Sequence, residues 1–332
     1  MTNVVITGGA GFLGSRLARD LLAAGSIDVA GAGAQPLTRV TLLDQAPAPP
    51  DLAADPRVAV AEGDLADLVA PGQPGREALA GADVVFHLAA AVSGECEADF
   101  DLGIRANLHA TEALLAACRA AGTSPLVVYS SSIAVFGGSP ELPMPAVVVD
   151  GTLPNPQTSY GIQKFIGEQL VADYTRKGFL RGRSIRLMTV SVRPGRPNAA
   201  ASGFMSGIIR EPLAGQRAVC PVDPAAEVAL AAPARAIEAL RCAVSSPDEV
   251  WGGRTAVTSL IDWIPDPVVA GMVSGWAARF HSDRAAGLGL TPDPDFISII
   301  RQHQAETHPP SPSAPAIHDH GQKAAPSVRK WP

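Results

Sequence analysis

Positive charge and aromatic rings are both scarce in this sequence. Against 32 Asp and Glu stand 26 Lys and Arg, for a formal net charge of −6, and aromatic residues make up 5% of the chain. The arginines are scattered, so there is no basic, ring-bearing stripe of the kind that binds nucleic acid, and nucleic acid is not expected as a partner. Cysteine is equally sparse. Cys96, Cys118, Cys220 and Cys242 lie far apart without a CxxC pair, and a chain of 332 residues does not need disulfide staples. Reduced cysteines, a cytoplasmic setting and no metal site are the expectation. No stretch approaches the roughly 18 uninterrupted apolar residues of a membrane helix. The opening NVVIT reads as a strand and lacks the basic start and apolar core of a secretion signal. No membrane partner is expected.

Apolar residues, at 47%, are ample for one large core or two modest ones. They recur in short β-branched runs: NVVIT at 3–7, RVTLL at 39–43, RVAVA at 57–61, DVVFHLA at 83–89, PLVVYS at 125–130 and SIRLMTV at 184–190. Between them lie helical patterns, with leucines at 13, 17, 21 and 22 on one face of 12–24, and a second helix expected over 104–121. Continuous apolar strands alternating with helices predict an α/β fold, a Rossmann-type doubly wound parallel sheet covered on both faces. After about residue 190 the pattern breaks into RPGRPNAAASGF and REPLAGQ, followed by a helix near 233–244. The division expected is a cofactor-binding domain over 1–190, a smaller substrate lobe over 191–305 and a disordered tail over 306–332, which is rich in Pro, Ser and His. His308, His318 and His320 sit in that tail without a rigid shell to orient them and read as solvated, not as a metal cluster.

The first strand runs directly into TGGAGFLG, residues 7–14. Gly8 permits the tight turn, Gly11 lets backbone approach a pyrophosphate, and Gly14 lets helix pack on strand. With Phe12 and Leu13 between them, these glycines are candidate cofactor-binding residues. The second long strand ends in Asp44, whose carboxylate suits a ribose and repels a 2′-phosphate, favouring NAD over NADP. A helix cap or a solvated strand end is the competing role for Asp44. The insertion GSIDVAGAGAQPL stretches its distance from the glycines. Asp64, in EGDLAD beside Leu65, suits the adenine amino group or an Asx turn.

The segment TSYGIQK, residues 158–164, holds one of only three tyrosines four places before one of only four lysines. On a helix, Tyr160 and Lys164 share a face. Free tyrosine titrates at about pH 10, so a phenolate at neutral pH needs a shift of about three units, roughly 4 kcal/mol. A nearby ammonium and a positively charged nicotinamide ring push that way. The run YSSSIAVFGG adds hydroxyls at Ser130, Ser131 and Ser132 to hold a reacting oxygen or to cap the next helix. Asn107 fits a proton-relay water or a buried backbone contact.

Together TGGAGFLG, Asp44, GDL, HLAA at 87–90, SSS before VFG, and YGIQK resemble the extended short-chain dehydrogenase/reductase superfamily, which includes the NAD-dependent epimerases and dehydratases. The likeness covers about residues 1–195. Within it, HLAAAVSGECEADFDLG, SSSIAVFGG, FIGEQLVADYTRKGF and SVRPGRPNAAASGFMSGIIREPLAGQ are most similar to the D-erythronate dehydrogenase family, which oxidises the 2-hydroxyl of a four-carbon sugar acid with NAD. The resemblance implies Tyr160 as general base, Lys164 as its partner and ribose ligand, and Ser132, with Ser131 as second choice, as the positioning hydroxyl. It also implies Leu88 and Ala89 against the cofactor, and Ser93 near the substrate. Asn198 and Ser202 would meet substrate hydroxyls, and Arg210 or Arg217 a carboxylate. A homodimer follows by analogy only. The sequence departs from the family pattern in looking short between Thr258 and Ile264 and in its tail. Two other readings share the motifs: a sugar-nucleotide epimerase or dehydratase, and a non-catalytic NAD-sensing module.

Overall fold

The computed structural model describes residues 1–194, 202–223, 227–251, 255–257, 264–265 and 280–307. Asn198, the stretch 258–263 and the three tail histidines lie outside the described residues.

Among the described residues seven parallel strands form the central sheet: β1 (Thr2–Thr7), β3 (Ala34–Asp44), β4 (Val58–Glu62), β5 (Val84–His87), β6 (Leu126–Ser132), β7 (Arg181–Leu187) and β8 (Thr255–Val257). Their spatial order is β4-β3-β1-β5-β6-β7-β8. An eighth, β2 (Ser26–Asp28), pairs antiparallel with the start of β3. The insertion that stretches the distance from the glycines to Asp44 is therefore a β-hairpin. It lengthens β3 backwards and leaves the strand's functional end in place.

Strand faces alternate between two cores, as a sheet covered on both sides requires. On β1, Val4 and Ile6 join one core while Val5 joins the other. The first core is completed by α1 (Phe12–Ala24), through the fully buried Leu17 and Leu21. Gly25, at φ +64, ends this helix in the left-handed turn that glycine accepts at no steric cost. The second core receives Leu114 and Leu115 of α2 (Ala110–Ala121). The helix expected over 104–121 is not uniform, because Ile104–His109 winds as a π-helix before α2 begins. Thr158 caps α3 (Ser159–Arg176), its Oγ1 accepting from Gly161 N at 3.1 Å.

Beyond residue 190 the chain divides. Met205 of α4 (Gly203–Leu213) packs with Val222, Val228, Leu230 and Ile299 in a small core of their own. In contrast, Ile237, Leu240 and Val244 of α5 (Pro233–Ser245) join the first sheet core, and β8 extends the sheet. The packing thus does not follow a single cut at residue 190. The segment expected to be disordered from Glu306 onward also begins differently, since α6 (Phe296–Thr307) includes Glu306, which pairs with Arg16 of α1 at 2.5 Å.

Candidate active site

In doubly wound sheets ligands sit at the carboxyl ends of strands where the connections reverse direction, here between β1 and β5. The glycine turn occupies that point. Gly8 has φ +68, and a Cβ on it would stand 2.7 Å from Ala89 N, so the turn lies directly against the backbone leaving β5. A Cβ on Gly14 would stand 2.1 Å from Gly8 O, so only glycine lets α1 begin this close to the turn. No side chain caps α1, which leaves its first amides for an anionic ligand.

A crevice of about 540 Å³ opens over this turn. It is lined by all ten residues expected to touch only the cofactor: Gly8, Gly11, Phe12, Leu13, Gly14, Asp44, Asp64, Leu65, Leu88 and Ala89. Asp44 also braces the loop, accepting from Ala10 N at 2.9 Å, Gly11 N at 3.2 Å and Ala46 N at 3.0 Å. Asp64 makes a local Asx turn while lining the crevice: its Oδ1 accepts from Ala66 N at 2.9 Å and its Oδ2 from Gln45 Nε2 at 3.0 Å. A cradle without Cβ atoms, an uncapped helix start and a carboxylate at the end of β3 suit a dinucleotide without a 2′-phosphate.

The crevice is continuous with a smaller pocket of about 180 Å³ that shares Leu13, Leu88, Val92, Ser130, Val190 and Arg193 with it. Tyr160, Lys164, Ser132, Ser93 and Ser202 line this pocket. A Cβ on Gly161 would fall 2.1 Å from Ala134 O, and this close approach brings the start of α3 against the end of β6. There the Ser132 hydroxyl accepts from Ala134 N at 3.1 Å and lines the same pocket as Tyr160, whose hydroxyl it pulls down in pKa. Ser131 is committed elsewhere, donating to Glu168 Oε1 at 2.5 Å. Ser130 supplies its carbonyl, which accepts from Lys164 Nζ at 2.8 Å.

Burial dominates both titrating groups. It pushes the Tyr160 hydroxyl up to about 12, against the pull of the Arg193 guanidinium and the Ser132 hydroxyl. It brings the Lys164 ammonium down to about 8, with Cys96 and Glu168 opposing. The expectation that Lys164 draws Tyr160 down is therefore corrected for the protein alone. Lys164 Nζ stands 5.7 Å from the Tyr160 ring centroid and is spent on the Ser130 carbonyl, while the cation acting on the Tyr160 hydroxyl is Arg193.

Asn107 lies in the π-helical turn at 2% exposure. Its Oδ1 accepts from Ala91 N at 2.7 Å, and its Nδ2 donates to Gln163 Oε1 at 2.8 Å and Ala91 O at 3.2 Å. It borders neither cavity. Its side chain pins the Ala91 segment that lines the pocket. Arg210 is also corrected: its guanidinium donates to the Arg193 carbonyl at 2.6 Å and pairs with Glu211 at 2.5 Å, so it is not turned to a substrate carboxylate. Arg217 is exposed in the chain after α4 and lines neither cavity.

Sequence reasoning missed Arg193 and the Glu168–Arg186 pair. The signal for Arg193 was its place just past the end of a strand, where sites on this fold collect. Among the described residues no group of His, Cys, Asp and Glu could hold a metal ion, and no helix is long and apolar enough to cross a membrane.

A glycine turn fit for phosphate beside a Ser–Tyr–Lys set, its lysine buried, defines a dinucleotide-dependent enzyme of the short-chain dehydrogenase class. The chain belongs to the NAD dependent epimerase/dehydratase family, whose model matches residues 4–230. It is 44% identical over 330 residues to D-erythronate dehydrogenase of Cupriavidus necator, covering 92% of this chain and 98% of that one. It is 36% identical over 325 residues to D-erythronate dehydrogenase of Haemophilus influenzae, covering 90% and 98%. A solved structure described as a nucleoside-diphosphate-sugar epimerase from Agrobacterium tumefaciens superposes with a TM-score of 0.80 at 38% identity, covering 92% of this chain and 94% of that one.

Proposed function

We propose that the protein is an NAD-dependent dehydrogenase that oxidises the 2-hydroxyl of a small sugar acid of the D-erythronate kind to the 2-oxo acid, with Tyr160 as general base. The observation that carries this reading is the gathering of Ser132, Tyr160 and Lys164 in one pocket continuous with the dinucleotide crevice. The names of the two relatives that match nearly end to end supply the substrate class.

NAD, when bound, supplies the hydride acceptor. The Ser132 hydroxyl holds the substrate oxygen against Tyr160. As the C2–H bond breaks with its electron pair, the O–H proton passes to the Tyr160 phenolate oxygen and the C2–O bond becomes a carbonyl. Tyr160 starts from about 12 in the protein alone, with the pull of Arg193 already included, so the base form depends on the positive charge of the oxidised cofactor. Lys164, held near the Ser130 carbonyl, offers its remaining donors to the cofactor ribose.

Pocket size favours this substrate over a sugar nucleotide. About 180 Å³ lies below the ~300–1,000 Å³ of sites for drug-sized ligands. The test is NADH formation with C4 to C6 sugar acids. Tight retention of NAD and turnover of UDP-sugars in their place would establish the epimerase or dehydratase reading, and binding of NAD without turnover the sensing one.

A further inference from the structure

We propose that Arg193 is the receptor for the substrate carboxylate and selects acids whose reacting hydroxyl stands on the carbon next to that carboxylate. The proposal rests on the dehydrogenase reading above and adds the residue that determines its specificity.

Arg193 borders both the Tyr160 pocket and the dinucleotide crevice. Its backbone is clamped on both sides: its amide donates to Ser206 Oγ at 2.9 Å, and its carbonyl accepts from Arg210 Nη1 at 2.6 Å. Its Nε donates to Val190 O at 3.2 Å. The guanidinium is thus anchored through Nε, and among the described residues nothing accepts a hydrogen bond from its terminal nitrogens and no carboxylate pairs with it. The contrast with the two buried arginines is direct, since Arg183 pairs with Asp248 and Arg186 with Glu168. Burial lowers the Arg193 guanidinium from its ordinary value, and Tyr160 is the one group that opposes this. A half-buried cation with no counter-charge among the described residues is costly, and an entering anion relieves that cost.

The terminal edge of a guanidinium matches a carboxylate with two parallel hydrogen bonds. A 2-hydroxy acid carries its carboxylate one bond from the reacting carbon. A cation beside Tyr160 therefore fixes both the register and the hydroxyl that is oxidised. The competing anion is the cofactor's pyrophosphate, because Arg193 also edges the crevice.

The test is steady-state kinetics of Arg193→Gln and Arg193→Lys with D-erythronate and with erythritol, the neutral four-carbon polyol. Loss of one partner of a buried charged pair predicts a KM for D-erythronate raised roughly a hundredfold in Arg193→Gln. The KM for NAD is expected to stay within about threefold, and the preference for the acid over erythritol to collapse. Arg193→Lys, which keeps charge but not the paired donors, is expected to recover only part of the affinity. A raised KM for NAD with an unchanged KM for D-erythronate would assign Arg193 to the pyrophosphate and overturn the proposal, as would an unchanged preference for the acid. If the native protein oxidises no sugar acid, the dehydrogenase reading fails, and thermal shift of the NAD-saturated protein still decides Arg193. Stabilisation by D-erythronate that Arg193→Gln abolishes supports the carboxylate site, and equal shifts in both proteins sink it. Thermal unfolding of the free variants shows whether they fold, and if Arg193→Gln does not, the same comparisons are read from Arg193→Lys.

Discussion

Arg186 grips Glu168 with two hydrogen bonds, Nε to Oε1 at 2.8 Å and Nη2 to Oε2 at 2.7 Å, with both side chains almost wholly buried. The pair ties α3, which carries Tyr160 and Lys164, to β7, and Ser131 joins it from β6. The helix with the base and the strand with the hydroxyls are thus held in one register by a charged clamp behind the pocket. Removing one charge leaves the other buried and unpaired, at a cost of about 3–5 kcal/mol. Glu168→Gln is expected to lose stability on this scale in urea unfolding and to lower turnover with it. A loss below about 1 kcal/mol would show that the clamp is not needed.

Lys164 predicts a pH signature. Its ammonium is held to about 8 in the folded protein against 10.5 when free. Between those values the unfolded chain binds more protons, so stability rises with pH through the window and the burial penalty is complete below it. The difference is on the order of 3 kcal/mol. Tyr160 acts in the opposite sense, because its pKa rises from 10.0 to about 12. The stability it confers is intact below 10 and is lost as pH climbs towards 12. Relative to the native protein, Lys164→Met is expected to lose ground steadily between about pH 8 and pH 10.5. A difference independent of pH would contradict a buried, depressed lysine.

Gly8→Ala tests the cradle. The new Cβ would stand 2.7 Å from Ala89 N at a backbone φ of +68, so the turn and the segment after β5 must part. Affinity for NAD, read by fluorescence titration, is expected to fall more than about tenfold, the equivalent of roughly 1.4 kcal/mol. Unchanged affinity would separate the turn from the cofactor site.

Asn107→Ala separates holding from relay. The amides of Ala91 and Gln163 would lose their partner in a buried place, costing about 1–3 kcal/mol. Thermal unfolding is expected to register this loss, while the pH profile of kcat keeps its shape. A displaced profile without lost stability would restore the relay.

Parts of the molecule legible in the sequence are those where local chemistry admits few residues. Gly8 and Gly14 are forced by a positive φ and by backbone contacts under 3 Å, and Tyr160 and Lys164 stand one helical turn apart whatever surrounds them. Asp44 is legible as a strand end even though the Ser26–Asp28 hairpin stretches its spacing. The roles that depend on long-range partners are not legible in this way. Any arginine of the second lobe suits a carboxylate by type, and only the partners of Arg210, Arg217 and Arg193 tell them apart. Glu168 looks like a surface residue of an amphipathic helix until Arg186 from β7 reaches it. Asn107 carried two readings because its partners, Ala91 and Gln163, lie 16 and 56 residues away.

Tyr160→Phe tests the central claim most directly. Phenylalanine keeps the ring and removes only the hydroxyl, so the pocket and the crevice survive while the base is lost. With D-erythronate and NAD, kcat for NADH formation is expected to fall at least a hundredfold, the lower end for loss of a general base, with NAD affinity unchanged. Native turnover in Tyr160→Phe would contradict Tyr160 as the base.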